Sequence, residues 1–153
     1  MTIIGMGNPD MGDDGVGVRV AELVQEEARR GTWRKVPQVV AAGGDAVLAG
    51  ACIAEDTDVL LVDAVNMQAE PGQWRVFSAR EALLCREPAA GSTHTLSLSA
   101  VIEMARALGY TERLRILGVQ VGDVRPGRFL SPQVARCMPA ILTRIREEAE
   151  TLP

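Results

Sequence analysis

Short apolar runs alternate with helix-period segments along this chain, and that alternation leaves few folds open. Thr2–Met6 (TIIGM) is a strand-length apolar run, and Gly15–Arg30 comes next with Val16, Val20, Leu23, Val24 and Ala28 at three- and four-residue spacing, a helical pattern. Lys35–Ala42 (KVPQVVAA) reads as a second strand, with Pro37 near its start pointing to a sheet edge. Asp45 can cap a short helix to about Glu55, and Asp58–Val65 (DVLLVDAV) is a third strand, apolar on both faces as in a buried parallel sheet. Residues 66–72 (NMQAEPG) are too few for a crossover helix, so Gln73–Ser78 (QWRVFS) is expected to run antiparallel. After an irregular stretch to about Ser92, Thr95–Leu108 reads as a helix and Arg113–Val121 as a fifth strand. Ser131-Pro132 then supplies an N-cap and a first-turn proline for a last helix to about Thr151. The order βαβαββαβα predicts a three-layer α/β/α domain spanning 1–153, built on a five-stranded, mostly parallel sheet with one antiparallel strand.

Composition narrows the function classes. At 153 residues, 47% hydrophobic and 24% charged, the chain can bury a core. No apolar run approaches the ~20 residues that span a bilayer. The opening MTIIGMGNPDMGDD has no basic stretch of the secretory kind, which points to the cytoplasm. A net charge of −4 without a basic stripe argues against nucleic acid as a partner, and 3% aromatics argue against a base-stacking platform. Cys52, Cys85 and Cys137 stand far apart with no CxxC spacing and read as reduced residues, the first and last in helices and Cys85 in a loop.

In an open α/β sheet, ligands bind beyond the carboxyl ends of the strands. The segment after the first strand, Gly5-Met6-Gly7-Asn8-Pro9-Asp10-Met11-Gly12-Asp13-Asp14-Gly15, has the glycines of a phosphate loop without its spacing, and three aspartates would repel the anion. Asp13 and Asp14 stand at a helix entrance, where one cap suffices and the other carboxylate is left for ligation or acid–base work. Asp63 ends the third strand after Leu60-Leu61-Val62, a costly place for a carboxylate unless it lies at the functional rim. His94 is the only histidine and is expected in the irregular loop just before a helix. Two carboxylates and an imidazole at one rim would make an O,O,N set suited to a divalent ion such as zinc or nickel. Glu103 is expected to face solvent or pair with Arg106. Arg113 and Arg115 read as polar ends of a strand, and no second histidine or elbow motif supports a serine triad.

The pattern G-x-G-N-P-x-x-G-D-D-G-x-G over Gly5–Gly17, the strand ending in Asp63-Ala64 and Thr93-His94-x-x-x-Leu98 together resemble the hydrogenase maturation endopeptidases. The resemblance extends in order through Gly43-Gly44, Leu117-Gly118-Val119-Gln120 and Leu130-Ser131-Pro132. It implies a five-stranded sheet with one antiparallel strand, and a protease that removes a C-terminal peptide from the nickel-loaded precursor of a [NiFe]-hydrogenase large subunit. It also implies metal contacts at Asp14, Asp63 and His94, catalytic roles for Asp14 and Asp63, and substrate contacts at Gly43 and Gly44. The metal it implies is nickel, that of the precursor, with zinc or cadmium able to substitute in vitro, and a monomeric enzyme is expected. Two mechanisms stay open: a carboxylate activates water while the site grips the substrate's nickel, or a metal bound here polarises the peptide carbonyl.

Three positions depart from the family pattern. Ala42 precedes Gly43-Gly44 where Asp is frequent, with Asp45 as a candidate replacement; Val121 succeeds Gln120 where Pro is frequent; and Asp14 stands where Glu is frequent. A nickel-sensing assembly chaperone that does not cut would use the same ligands. A peptidyl-tRNA hydrolase shares a Gly-x-Gly-Asn-Pro opening, but it would need a basic surface and an early His–Asn arrangement, neither of which this chain has.

Overall fold

The first strand is apolar on both faces, so it belongs in the interior of a sheet, and its neighbours set the rest of the architecture. The computed structural model describes residues 1–55, 58–84 and 93–151, and their side chains except those of 83, 84 and 93–97. Five strands, β1 (Thr2–Met6), β2 (Gln38–Gly43), β3 (Val59–Val65), β4 (Trp74–Ser78) and β5 (Leu114–Gln120), form one sheet in the order β2-β1-β3-β5-β4. All pairings are parallel except β4 with β5. The helices are α1 (Val16–Arg29), α2 (Ala46–Glu55), α3 (Ala79–Leu84), α4 (Thr93–Ala107) and α5 (Pro132–Thr151). None of the described helices is long and apolar enough to cross a membrane.

Strand alternation divides the core in two. Ile3, Leu60, Val62, Leu117 and Val119 point to one face and pack against Val16, Val20 and Val24 of α1 and Val134, Ile141 and Ile145 of α5. Ile4, Met6, Val59, Leu61, Leu114 and Ile116 point to the other and meet Ala49 and Ile53 of α2 and Val101, Ile102 and Ala105 of α4. Helix α1 lies unusually close to the sheet. A Cβ on Gly17 would sit 2.2 Å from the Val62 carbonyl oxygen, and one on Gly5 would sit 2.2 Å from that of Gly17. Only glycine at both positions lets the backbones touch.

Pro37 does mark an edge, since β2 bounds the sheet. The antiparallel strand is also as expected, but its neighbour is β5 and not β3. Helix α4 returns the chain so that β5 pairs with β3, and β5 thereby takes the place next to it. Residues 66–73 must then step over the end of β5, a gap of roughly 10 Å at the usual strand spacing. Gln120 holds that step. Its Oε1 accepts from the Met67 and Ala69 amides at 2.6 and 3.3 Å, and its own backbone N–H donates to the Gln73 carbonyl at 2.8 Å.

Three local readings change. Residues 79–84, expected to be irregular, form α3, capped by Ser78, whose Oγ accepts from the Glu81 amide at 3.1 Å while the Glu81 carboxylate accepts from the Ser78 amide at 2.7 Å. Helix α4 begins at Thr93, so His94 lies in its first turn and not in a loop before it. Arg115 is not a plain polar end. Its guanidinium bridges Asp58 (2.8 Å) and the buried Glu148, tying the start of β5 to α5. Glu103 pairs with Arg106 at 2.8 Å as expected. Cys52 is buried and Cys137 half-buried, both as free thiols, and Cys85 lies outside the described residues.

Candidate active site

The loop after β1 is shaped by its close approach to the next turn of the chain. Gly7 has φ +111°, and a Cβ there would fall 1.9 Å from the Asp14 carbonyl oxygen, so the chain turns back on itself only because this residue has no side chain. The Gly7 amide donates to the Gly43 carbonyl at 3.0 Å, fastening the loop to the end of β2. A β-bulge between Gly5 and Met6 shifts the register there, opposing Met6 to Gly43 instead of Ala42.

Residues Gly12–Gly15 then form a 3₁₀ turn that delivers two buried carboxylates in different directions. Neither caps α1; no side-chain cap bond is present at the start of the turn or of the helix, which corrects the expectation that one of the pair would cap it. Asp13 is fully buried and works at long range. Its Oδ2 accepts from the amides of Gly122 (3.0 Å) and Asp123 (2.9 Å) and the hydroxyl of Ser131 (2.9 Å), while Oδ1 accepts from the Ser131 amide (2.6 Å). Asp14 is also buried, and its Oδ2 accepts from the Asn8 amide at 2.7 Å.

Asp63 is 2% exposed at the carboxyl end of β3, with Oδ1 accepting from the Ala64 amide at 2.9 Å. Burial pushes its carboxyl up to about 8. The Ala64 amide opposes this in part, and the negative charge of Asp14 adds to it. The structure thus brings Asp14 and Asp63 together as two interacting carboxylates with little water around them. Asp63 shares strand parity with Val59 and Leu61, the residues facing α2 and α4. Helix α4 ends beside the entry to β5 and runs back antiparallel to it, so its first turn, with His94, lies toward the same carboxyl edge.

Two buried oxygen donors whose charges repel fit a divalent cation, which would relieve that repulsion. Among the described residues no group of three metal-binding side chains occurs, and the His94 side chain is not among them. Gly43, at φ +57°, and Gly44 close β2 beside Gly7, so the structure sets them next to the loop that carries Asp14. Ala42 is buried in the core, whereas Asp45 is exposed and its Oδ1 accepts from the amides of Val47 (3.0 Å) and Leu48 (2.9 Å) as the N-cap of α2. A surface depression of about 430 Å³ lined by Arg34, Lys35, Glu147, Glu150 and Thr151 lies at the other end of the sheet, among solvated charges.

Two residues that organise this edge were not singled out from sequence for what they do. Asp13 anchors a loop more than a hundred positions away, and only its pairing with Asp14 in the motif hinted at a second role. Gln120 holds the link after Asp63; a polar residue closing the apolar run Ile116–Val119 was the available signal.

Comparison with known proteins gives a consistent picture. The family model described as HycI, hydrogenase maturation protease, matches residues 18–148. The hydrogenase maturating endopeptidase HybD from E. coli superposes with a TM-score of 0.79 at 21% identity, over 97% of this chain and 91% of that one. The [NiFe] hydrogenase maturation proteases HybD and HycI from Thermococcus kodakarensis give 0.77 at 20% and 0.73 at 24% identity, over 97% and 98% of this chain and 97% and 92% of theirs. No curated protein sequence matches.

Proposed function

This chain belongs to the hydrogenase maturation protease family, and on that premise we propose that Asp14, Asp63 and His94 form the metal-gripping centre of an endopeptidase that trims a nickel-loaded [NiFe]-hydrogenase large-subunit precursor at its C-terminus. The observation that carries the assignment is the buried Asp14–Asp63 pair at the carboxyl edge of the sheet. A fold of this type explains a sheet rim, but not two carboxylates placed there at each other's cost.

The nickel belongs to the substrate in this reading. With the centre empty, the Asp63 carboxyl keeps its proton up to about pH 8, which spares the fold a second buried negative charge. When the nickel-bearing precursor docks, Asp63 gives up that proton and both carboxylates become oxygen donors, with His94 as the nitrogen donor. The 3₁₀ turn before α1 holds Asp14 and the end of β3 holds Asp63, so the scissile bond is positioned by a rigid edge. Asp14 and Asp63 are the groups at hand to take a proton from the attacking water. Gly43 and Gly44, next to Gly7, are the substrate-contact positions in this reading, and a Cβ on Gly44 would meet nothing within 4 Å, so the space beside it has room for a substrate chain.

The deciding experiment compares the intact mass of hydrogenase large subunits from host cells carrying the wild-type protein or His94→Ala. Large subunits that keep their C-terminal extension in the variant support the assignment. Normally trimmed subunits in the variant refute it.

A further inference from the structure

We propose that the loop between β5 and α5 is a preformed docking surface that binds an apolar segment of the precursor through Phe129, with Val124 also exposed in the same loop; this rests on the reading of the previous subsection. Phe129 is 91% exposed. The chain has only two phenylalanines, and the other, Phe77, packs against the core. A fully solvated aromatic on a loose loop would need no explanation, but this loop is fastened along its length. The Gly12 amide donates to the Gly127 carbonyl at 2.6 Å, Gly127 donates to the Asp10 carbonyl at 2.8 Å, and Asp13 donates to the Asp123 carbonyl at 2.8 Å. The Asp13 carboxylate adds its bonds to Gly122, Asp123 and Ser131. The aromatic ring is therefore carried by a loop bonded on both sides to residues 10–13, adjacent in sequence to Asp14. An aromatic on a fastened backbone loses little backbone freedom on binding, which favours it as a recognition anchor.

The charges around it select the kind of partner. Arg125 is paired with Asp123 at 2.7 Å and Arg128 with Asp10 at 2.9 Å, so the loop's two cations are neutralised locally. With each cation matched by a carboxylate, such a surface has no net positive charge to favour a nucleic acid or an anionic membrane, and it fits an uncharged stretch of protein. Val47 and Leu48, also exposed, lie in the first turn of α2, which begins just after Gly43 and Gly44 at the same carboxyl edge. The opposite end of the sheet has its own exposed apolar residue, Val36, 59% exposed just before β2, which serves as an internal control.

The test is steady-state cleavage of purified nickel-loaded precursor by the wild type, Phe129→Ser and Val36→Ser, with light scattering to record oligomeric state. The proposal expects Phe129→Ser to raise KM about tenfold, the usual cost of losing one buried interface aromatic, with kcat unchanged and with Val36→Ser indistinguishable from wild type. An unchanged KM in Phe129→Ser, an equal rise in Val36→Ser, or a loss confined to kcat each overturns it. So does wild type that self-associates through Phe129, which would make a second copy of the chain the occupant. Wild type that fails to cleave the precursor removes the protease reading itself, an outcome distinct from a variant that cleaves normally.

Discussion

Asp63→Asn should make the metal-free protein more stable while destroying its function, and the size of the gain should depend on pH. The wild-type carboxyl titrates near 8 in the fold against an ordinary value of 3.8. Below pH 3.8 it is protonated whether the chain is folded or not, and its burial carries no extra penalty. Between 3.8 and about 8 the unfolded chain has released the proton while the native state holds it, so stability falls as pH rises. Above that window both states are ionised and the loss is complete. At roughly 1.4 kcal/mol per pH unit the whole window amounts to several kcal/mol, an upper bound because a buried site relaxes and admits water. Asparagine keeps the shape without the titration, so the stability difference between variant and wild type should widen in the variant's favour from pH 5 to pH 8. Urea unfolding of metal-free protein at intervals of one pH unit measures this directly. Free nickel in excess, standing in for the substrate's metal, should raise the melting temperature of the wild type more at pH 8 than at pH 6, and that of the variant by less than the wild type's. A wild-type-to-variant difference that is flat with pH, or that shrinks as pH rises, would refute the placement of Asp63 as a buried carboxyl beside Asp14.

Two further substitutions probe the frame around it. Asp13→Ala leaves the amides of Gly122, Asp123 and Ser131 and the Ser131 hydroxyl without their acceptor, so a loss on the order of 4 kcal/mol is expected in urea unfolding, with faster amide exchange concentrated in 122–131; exchange unchanged in that loop would contradict the anchoring role. Gly17→Ala sets a methyl 2.2 Å from the Val62 carbonyl oxygen and 2.4 Å from that of Met6, and it should cost on the order of 3 kcal/mol despite a helix-propensity gain of about 1 kcal/mol; a melting temperature at or above wild type would show that α1 does not ride on the sheet backbone as described.

The sequence was most informative where one residue's neighbours decide its place. The apolar run ending in Asp63 read as a buried strand with a carboxylate at its rim, and Pro37 near the start of the second strand pointed to an edge, as found. Periodicity located α1, and the Asp45 cap and the Ser131-Pro132 helix start located α2 and α5, each to within a residue or two. The pairing of β4 was hidden because it depends on where a later strand inserts: nothing in residues 66–78 records that β5 will come between β3 and β4. Arg115 was misjudged for the same reason, since Glu148 arrives from the last helix. At α4 the start was placed two residues late, because Ser92-Thr93-His94-Thr95 offers several residues able to begin a helix and no periodic signal to choose among them.

The adjacent aspartates show why a motif of this length is needed to build such a site. A buried carboxylate is tolerable when donors replace its water, and Asp13 receives four of them, from the loop after β5 and the start of α5. It thereby spends its hydrogen-bonding capacity on the scaffold. Asp14, one residue on in a 3₁₀ turn, faces a different way; its Oδ2 takes the Asn8 amide, and its charge bears on Asp63. A helix N-cap would have exposed one of the pair and left the other idle. The turn instead gives one carboxylate to the loop that carries Phe129 and the other to the candidate centre, so the proposed docking surface and the proposed metal grip are tied to adjacent residues. That coupling explains the glycines as well: Gly5 and Gly17 bring the helix onto the strands, and Gly7 folds the loop against the Asp14 backbone. Removing Asp13 should therefore disturb the 122–131 loop first, whereas removing Asp14 should spare that loop and act on the Asn8 turn and the candidate centre, a contrast that amide exchange over 122–131 reads directly.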